Sequence, residues 1–485
     1  MGVSATGRSA DAAVDVGRSP WDSQHVEFDY RVDDIEGTIP ADLNGVLYRI
    51  GPGRLDVGGH PVDHIFDGDG MVSRIEIDSG GAHYRNRYVR TRAYARANRT
   101  ARPPRGIGTQ KVGGVPANAL RGPANMSNTN VLLHNNKLYS LWEGGRPHRL
   151  DPDTLETLGI DGFGGALKRL GAFSAHPKTD PATGETFNFG LDFFPRPMIR
   201  CYRLAPGGGV AELSSVPISR LGFIHDFALT QRYLVFIIDP IVVKNPIPAV
   251  LGLRPIDDAL TFEPRRGTRI VLVPRGGGEP IRIDIDAMFH FHVNNAYDSE
   301  VETVVELVAH KPDSGWKGWN EHLHNFRDNP GPAFGGTLKR LTINRRTRKV
   351  SEEQLNDVGC EFPQLDHRQA TLAHRFSYLA EASTIGGNPD SITTIDHRTG
   401  THSRYIAVAG DTICEPLFAP DGTSGAEGDG WLLTLEHQPA QQRSRVLVLS
   451  ARNPDRGPVA SINLRHHVPM TFHGAFRPRD AGRPR

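Results

Sequence analysis

Met71-Val-Ser-Arg-Ile-Glu-Ile-Asp78, then the turn Ser79-Gly80-Gly81, then a return from Ala82 to Arg90: this stretch decides how the rest of the chain is read. Apolar and polar residues alternate up to Asp78, a tight turn follows, and alternation resumes. That is the pattern of an antiparallel hairpin with one buried face. The same figure recurs. Residues 131–134 turn at Asn135-Asn136 into 137–142, residues 270–274 turn through Gly276-Gly-Gly278 into 281–285, and residues 431–436 precede 445–449. An acid or amide followed three residues later by Thr appears at Asp151/Thr154, Asp180/Thr183, Asn344/Thr347 and Asp396/Thr399. Each lies between two β-prone runs, where an Asx side chain closes a turn. Stretches of 3.6-residue period are nearly absent, and short helices are expected only at residues 257–262 and 351–356. An all-β chain of many hairpins can bury its faces by radial repetition, the propeller solution. No linker-like stretch divides it, so a single domain over residues 25–485 is expected. Residues 1–24 are expected to form a disordered N-terminal tail.

Composition narrows the function. The 485 residues carry 56 Lys and Arg against 55 Asp and Glu, a net charge of +1 that argues against a nucleic-acid binder. Hydrophobic residues at 38% and charged residues at 23% are a globular balance, and 53 glycines with 36 prolines favour short strands and turns. Three cysteines, Cys201, Cys360 and Cys414, are too few and scattered for a disulfide framework or a Cys-based zinc site. With no apolar segment in the first twenty residues and no run of 18 apolar residues, a cytoplasmic protein is expected, at most peripheral to a membrane.

Of 21 histidines, those at 25, 83, 310, 397 and 402 sit among polar residues and are expected to be solvated. Others interrupt apolar, strand-like runs: Phe173-Ser-Ala-His176, Phe223-Ile-His225-Asp-Phe, Met288-Phe-His290-Phe-His292-Val and Thr471-Phe-His473-Gly. A buried imidazole must find partners for both ring nitrogens, since an unpaired polar group costs roughly 1–3 kcal/mol. One such ring is ordinarily a hydrogen-bonded core residue; four suggest convergence on a metal. Their wide spacing is unlike a zinc finger or a His-Glu-x-x-His helix. Ligands so far apart must come from different units that meet centrally, as the innermost strands of a propeller do. Glu143, Glu361 and Glu415 lie among apolar and small residues and are costly to bury without a donor. A metal-bound His supplies one through its second ring N–H.

Taken together, the segments Phe66-Asp-Gly-Asp-Gly-Met71, Asn128-Thr-Asn-Val131, Leu141-Trp-Glu-Gly-Gly145, Ser174-Ala-His-Pro-Lys178, Ile224-His-Asp-Phe227, Phe291-His-Val-Asn-Asn-Ala-Tyr297, Glu361-Phe-Pro363, Glu415-Pro416 and Phe472-His-Gly474 resemble the carotenoid cleavage oxygenase family. That family is also called retinal-pigment-epithelium membrane protein or lignostilbene dioxygenase-like. The resemblance runs nearly end to end. It implies a seven-bladed β-propeller with loops and short helices capping one face, and a non-haem Fe²⁺ on the axis held by His176, His225, His292 and His473. Glu143, Glu361 and Glu415 match the carboxylates that orient those ligands, and Thr129 matches a residue beside an open iron position. The family's Phe-His-x-x-Asn-Ala pattern selects His292 over His290, although i and i+2 on a strand share a face.

The implied activity is O₂-dependent oxidative cleavage of a C=C bond in a carotenoid or apocarotenoid, giving aldehyde or ketone products. Four neutral imidazoles would leave the full 2+ charge on iron and up to two open positions; a zinc ion closed off by the same four would be structural. Stilbene-cleaving members resemble one another in a Lys just before the first of these glutamates. This chain has Trp142 there, which favours a long polyene and makes Trp142 a candidate tunnel residue. The alternatives are a stilbene- or phenylpropene-cleaving dioxygenase and a catalytically silent polyene-binding propeller. From Ile241 to Leu253 the sequence IVVKNPIPAVLGL is mostly apolar yet holds Lys244 and two prolines. With family support, it is expected to touch a membrane beside the tunnel mouth, where Arg254, Arg265 and Arg266 would meet headgroups.

Overall fold

The computed structural model describes residues 19–193, 195–218, 222–312, 314–327, 335–383, 387–422 and 424–479. Seven antiparallel sheets of four or more strands make up the fold, and a cavity of about 520 Å³ is lined by residues from the innermost strand of every one. That cavity marks the axis of a seven-bladed propeller. From the axis outward, blade 1 is His473–Pro478, Gly45–Arg54, Asp69–Asp78, Gly81–Tyr88 and Asp29–Val32. Blade 2 is Asn130–His134, Lys137–Leu141, His148–Leu150 and Thr157–Ile160. Blade 3 is Lys178–Thr179, Thr186–Asp192, Met198–Leu204 and Val210–Pro217. Blade 4 is Ala228–Leu229, Tyr233–Ile238, Thr268–Pro274 and Ile281–Ile285. Blade 5 is Phe289–Asp298, Glu302–His310, Thr337–Asn344 and Val350–Gln354. Blade 6 is Cys360–Leu365, Phe376–Glu381, Ser391–Asp396 and Thr401–Ile406. In blade 7, Thr412–Ile413 and Leu417–Pro420 both pair with Gly430–Gln438, followed by Arg443–Ser450, Pro458–Asn463 and Ile35–Gly37.

The ring is closed twice, which removes the free edges an open sheet would present. The C-terminal strand completes blade 1 from the inside, in a register running from Gly45↔Pro478 to Ile50↔His473. Near the N-terminus, Ile35–Gly37 completes blade 7 from the outside against Ala460–Ile462.

The hairpins form where alternation places them. Asp78 pairs with Gly81 across the turn at Ser79-Gly80. Asn135 and Asn136, at φ 49° and 56°, are the left-handed pair a type I′ turn requires. All four acid/amide–Thr sites close Asx turns, with Oδ1 accepting from the N–H of Thr154 (2.8 Å), Ala182 (3.0 Å), Thr347 (2.9 Å) and Arg398 (3.0 Å). Three of them sit at the same turn, from the third to the fourth strand of a blade. That is a structural repeat.

Three expectations fail. Of the tail, residues 1–18 lie outside the described residues, but residues 19–24 are packed. Trp21 is buried against the Phe326 and His322 rings, and Gln24 donates its amide N–H to the His467 carbonyl at 3.0 Å. Val350–Gln354 is a strand, the polar outer edge of blade 5, because pairing with Thr337–Asn344 outweighs the helix propensity of its glutamates. Asp257–Ala259 is a single 3₁₀ turn that runs into the strand Leu260–Phe262. The helices form elsewhere, at Arg92–Thr100 and at Ser314–Asn325, the longest among the described residues. The second touches Ile65–Asp67. There the buried Asp67 carboxylate accepts the N–H groups of Ile107 (2.7 Å), Gly108 (3.0 Å) and Thr109 (2.7 Å), tying a capping loop over the ring. Among the described residues no helix is long and apolar enough to cross a membrane.

Candidate metal centre

The blades divide the site between them. His176 and His225 lie two and three residues before the innermost strands of blades 3 and 4, His292 lies within that of blade 5, and His473 opens that of blade 1. Glu143, Glu361 and Glu415 come from the remaining blades, 2, 6 and 7. The structure brings all four imidazoles together: His176 Nε2 and His225 Nε2 are 2.9 Å apart, His225 and His292 3.2 Å, and His292 and His473 3.2 Å. All four rings are buried.

Their outer nitrogens decide what the inner ones are. His292 Nδ1 lies 2.7 Å from Glu361 Oε2, His473 Nδ1 2.9 Å from Glu415 Oε1, and His225 Nδ1 contacts Glu143 Oε1. At His292 and His473 the Nδ1–H donates to a carboxylate, so those Nε2 atoms present bare lone pairs to the centre. Lone pairs packed this closely repel unless a cation lies among them, and the residues therefore fit a metal ion. Imidazoles about 2.1 Å from one ion lie about 3.0 Å apart at right angles and about 3.4 Å apart in a tetrahedron. The observed spacings of 2.9, 3.2 and 3.2 Å fall in the range that ligands of one ion would take. Burial, with the neighbouring rings, holds His176 well below the ordinary imidazole range, and burial brings His225 down to about 3, so both stay neutral.

The carboxylates are held unequally. Burial raises Glu361, but His292 and His310 outweigh it and bring it to about 2; His310 Nε2 donates to Oε1 at 2.7 Å. Glu415 is likewise held down against burial by His473 and by the fully buried Arg49, whose Nη1 donates to Oε2 at 2.7 Å. Gln364 adds a bond at 2.8 Å. Burial drives Glu143 up to about 8. His310 corrects the expectation of a solvated ring: it ends the buried strand Glu302–His310. The His397 side chain, expected solvated too, is 8% exposed, its Nε2 2.7 Å from Ser377 Oγ. Sequence reasoning also passed over Arg49, whose signal is a charged residue inside Leu47-Tyr-Arg-Ile50.

His290 is not part of the cluster. Its ring and its backbone N–H are both taken by Asp239 Oδ2, at 2.7 and 2.8 Å. Register shifts between His290 and Val293 and between Val293 and Asn295 break the i, i+2 alignment. Beside the four rings an apolar cavity is lined by Thr129, Phe66, Phe291, Trp319, Phe362 and Phe472, among others. Phe362 adopts φ 52°, a strained conformation for a non-glycine that brings its ring to 5.4 Å from His292 and 5.5 Å from His473. Trp142 is not in that lining; it is buried in a bridge with Phe173, its ring over Gly144.

Replacing Glu361 by Gln turns one acceptor oxygen into a donor facing either His292 or His310. The expected result is roughly 10- to 100-fold faster loss of metal to a chelator, followed by the metal's absorbance or by elemental analysis. An unchanged rate would show that Glu361 does not act through His292.

A seven-bladed propeller with a central group of four histidines able to hold a metal, three of them backed by carboxylates, defines the class. Within it, residues 21–478 match the retinal pigment epithelial membrane protein family, and the chain belongs to that family. It is 34% identical to the apocarotenoid-15,15'-oxygenase of Synechocystis, over 94% of this chain and 95% of that one. To the resveratrol cleavage oxygenase 1 of Aspergillus fumigatus it is 31% identical, over 93% of each. The crystal structure of cobalt-substituted Synechocystis ACO superposes with a TM-score of 0.88 at 32% identity, covering 95% of this chain and 98% of that chain.

Proposed function

We propose that the protein is a non-haem Fe(II), O₂-dependent oxygenase that cleaves a C=C bond of a carotenoid or apocarotenoid, with iron held by His176, His225, His292 and His473. The observation that carries this is the convergence of four Nε2 atoms, three of them on rings whose outer nitrogens face the carboxyl groups of Glu143, Glu361 and Glu415. Bound there with open positions, Fe(II) supplies activation of O₂ toward a conjugated double bond. The chain's own residues do the rest. Glu143, Glu361 and Glu415 fix the tautomer and tilt of three ligands and raise their basicity. Thr129 borders the cavity beside the rings, its hydroxyl held at 3.1 Å by Asn128 Oδ1. Phe66, Phe291, Trp319, Phe362 and Phe472 exclude water and offer flat faces to a flat polyene.

That lining, mostly aromatic, suits a conjugated polyene. Iron-loaded protein is expected to consume O₂ and yield two carbonyl fragments from apocarotenals, and little from resveratrol-like compounds; mass spectrometry under ¹⁸O₂ counts the atoms incorporated. Turnover of stilbenes alone would establish the other substrate class, and stoichiometric iron without O₂ uptake on any polyene a silent binder.

Exposed apolar side chains support delivery of the substrate from a membrane. Ile247, Val250, Leu251 and Leu253 are exposed on the segment from Ile241 to Leu253. Leu120, 83% exposed, donates its N–H to the Val250 carbonyl at 2.8 Å and so belongs to the same face. A contiguous apolar patch of this kind suits shallow insertion into a bilayer, the store of a lipid-soluble substrate.

A further inference from the structure

The cavity beside the four imidazoles has one wall that is not purely apolar. Helix Ser314–Asn325 contributes Trp319 and His322, three residues apart and so on one face, and the N-terminal segment adds Trp21. The three rings stand in a row that leads back to the metal centre. His322 lies 6.2 Å from Trp21 on one side and 6.2 Å from Trp319 on the other; Trp319 lies 4.3 Å from Phe291, which stacks on His225 at 3.7 Å. None of the three is more than 6% exposed, yet Trp21 Nε1, Trp319 Nε1 and His322 Nδ1 each lack a hydrogen-bond partner among the described residues. Other polar groups of the lining are taken. The Thr129 hydroxyl donates to Asn128 Oδ1, and the outer nitrogens of His225, His292 and His473 face Glu143, Glu361 and Glu415. Burial, with His64 nearby, brings His322 down to about 4, so its ring is neutral. Indole N–H groups donate and never accept, and a buried donor without an acceptor is costly. The side chains of Ile65, Phe66, Phe291, Leu323, Phe362 and Phe472 in the same lining supply no acceptor. What this wall lacks is an oxygen.

We propose that Trp21, Trp319 and His322 form a subsite for the carbonyl oxygen at the end of a polyene aldehyde, and that this contact fixes which double bond lies at the metal. The proposal rests on the oxygenase reading given above and adds the residues that set its specificity and its cleavage position. A carbonyl oxygen only accepts, so it matches a wall whose indoles only donate, and a neutral imidazole can place its own N–H at Nδ1. A flat polyene lying against aromatic faces meets little resistance to sliding along its own axis. One anchored end removes that freedom and sets the distance from the oxygen to the reacting bond. A hydrocarbon end leaves the three nitrogens unpaired, and a site built to hydrogen-bond an oxygen rejects the analogue that lacks it.

The test compares two polyenes of equal conjugated length, one ending in an aldehyde and one in a methyl group, on the iron-loaded full chain. Without O₂, titration of the polyene absorbance is expected to show the aldehyde bound about 10-fold more tightly. The carbonyl stretch of the bound aldehyde should fall, as it does when the oxygen accepts hydrogen bonds. With O₂, mass spectrometry should find a single pair of fragments from the aldehyde and a mixture from the hydrocarbon. Trp21→Phe and His322→Leu alter two separate elements of the wall. Each should lower kcat/KM for the aldehyde about 10-fold, leave the hydrocarbon nearly unchanged, and turn the single pair of fragments into a mixture. A role confined to packing would lower both substrates together and keep the cleavage position. That result, equal binding of the two polyenes by the parent chain, or an unshifted carbonyl stretch would overturn the subsite and leave the oxygenase. No turnover of any polyene would overturn the oxygenase reading itself, and the subsite's ligand with it.

Discussion

Deletion of residues 470–485 abolishes metal binding and catalysis together, although loss of a C-terminal tail is ordinarily harmless. His473 stands 12 residues from the end of the chain and supplies one of the four converging nitrogens. The strand it opens is also the innermost of blade 1, paired with Gly45–Arg54 at six positions, and nothing else closes the ring there. Gly474 fits under the Tyr48 carbonyl because it has no Cβ; one would come within 2.2 Å of that oxygen. Removing the segment therefore exposes an edge of Gly45–Arg54, strips three aromatic or thioether groups from the core and cavity, and leaves Glu415 without its imidazole. Elemental analysis should find less than a tenth of the parent metal content. Replacing His473 by Ala in the full chain separates the two losses, since the strand and its ladder remain while the ligand is gone. That variant should stay folded by circular dichroism and still fail to hold metal. A truncated chain with full metal and activity would remove His473 from the site.

The fold was legible because period-2 alternation and turn chemistry are local. Asp78 to Gly81, Asn135-Asn136 and the four Asx turns can be read from a few residues each. The strand Val350–Gln354 was not legible, because an outer edge strand has no buried face and so no alternation. The site was legible for the opposite reason: an imidazole inside an apolar run is an anomaly wherever it lies, and four motifs carry it. What failed was detail set by tertiary contact. A register shift between His290 and Val293 sets His290 apart from the ligand His292, and no residue type announces it. His310 looked solvated beside Lys311 and Pro312, yet it closes a buried strand and holds Glu361. Trp21 looked like part of a polar tail until a partner ring, Phe326, was supplied from 305 residues away.

Arg49→Met is expected to be the most damaging single change outside the ligands. The Arg49 and Glu415 side chains are 0% and 1% exposed, 2.7 Å apart. Arg49 also donates from Nε (3.1 Å) and Nη2 (2.9 Å) to Thr471 Oγ1 and from Nη2 to the Phe472 carbonyl at 3.3 Å, so one guanidinium fixes both the carboxylate behind His473 and the chain that leads to it. Methionine fills much of the volume but leaves a buried carboxylate short of its cation. Losing one partner of such a pair costs about 3–5 kcal/mol, far more than the pair's net worth. The midpoint of urea unfolding should fall accordingly, and metal should leave faster because the His473 ring loses its fixed backing. Lysine at 49 keeps the charge but cannot reach Glu415, Thr471 and Phe472 together, and should fall between the two. Adding Glu415→Gln to Arg49→Met neutralises the stranded charge and should recover most of the stability without recovering metal retention, because Gln offers His473 a weaker acceptor. Stability and metal retention recovering together, or neither changing in Arg49→Met, would show that the buried guanidinium acts only as packing.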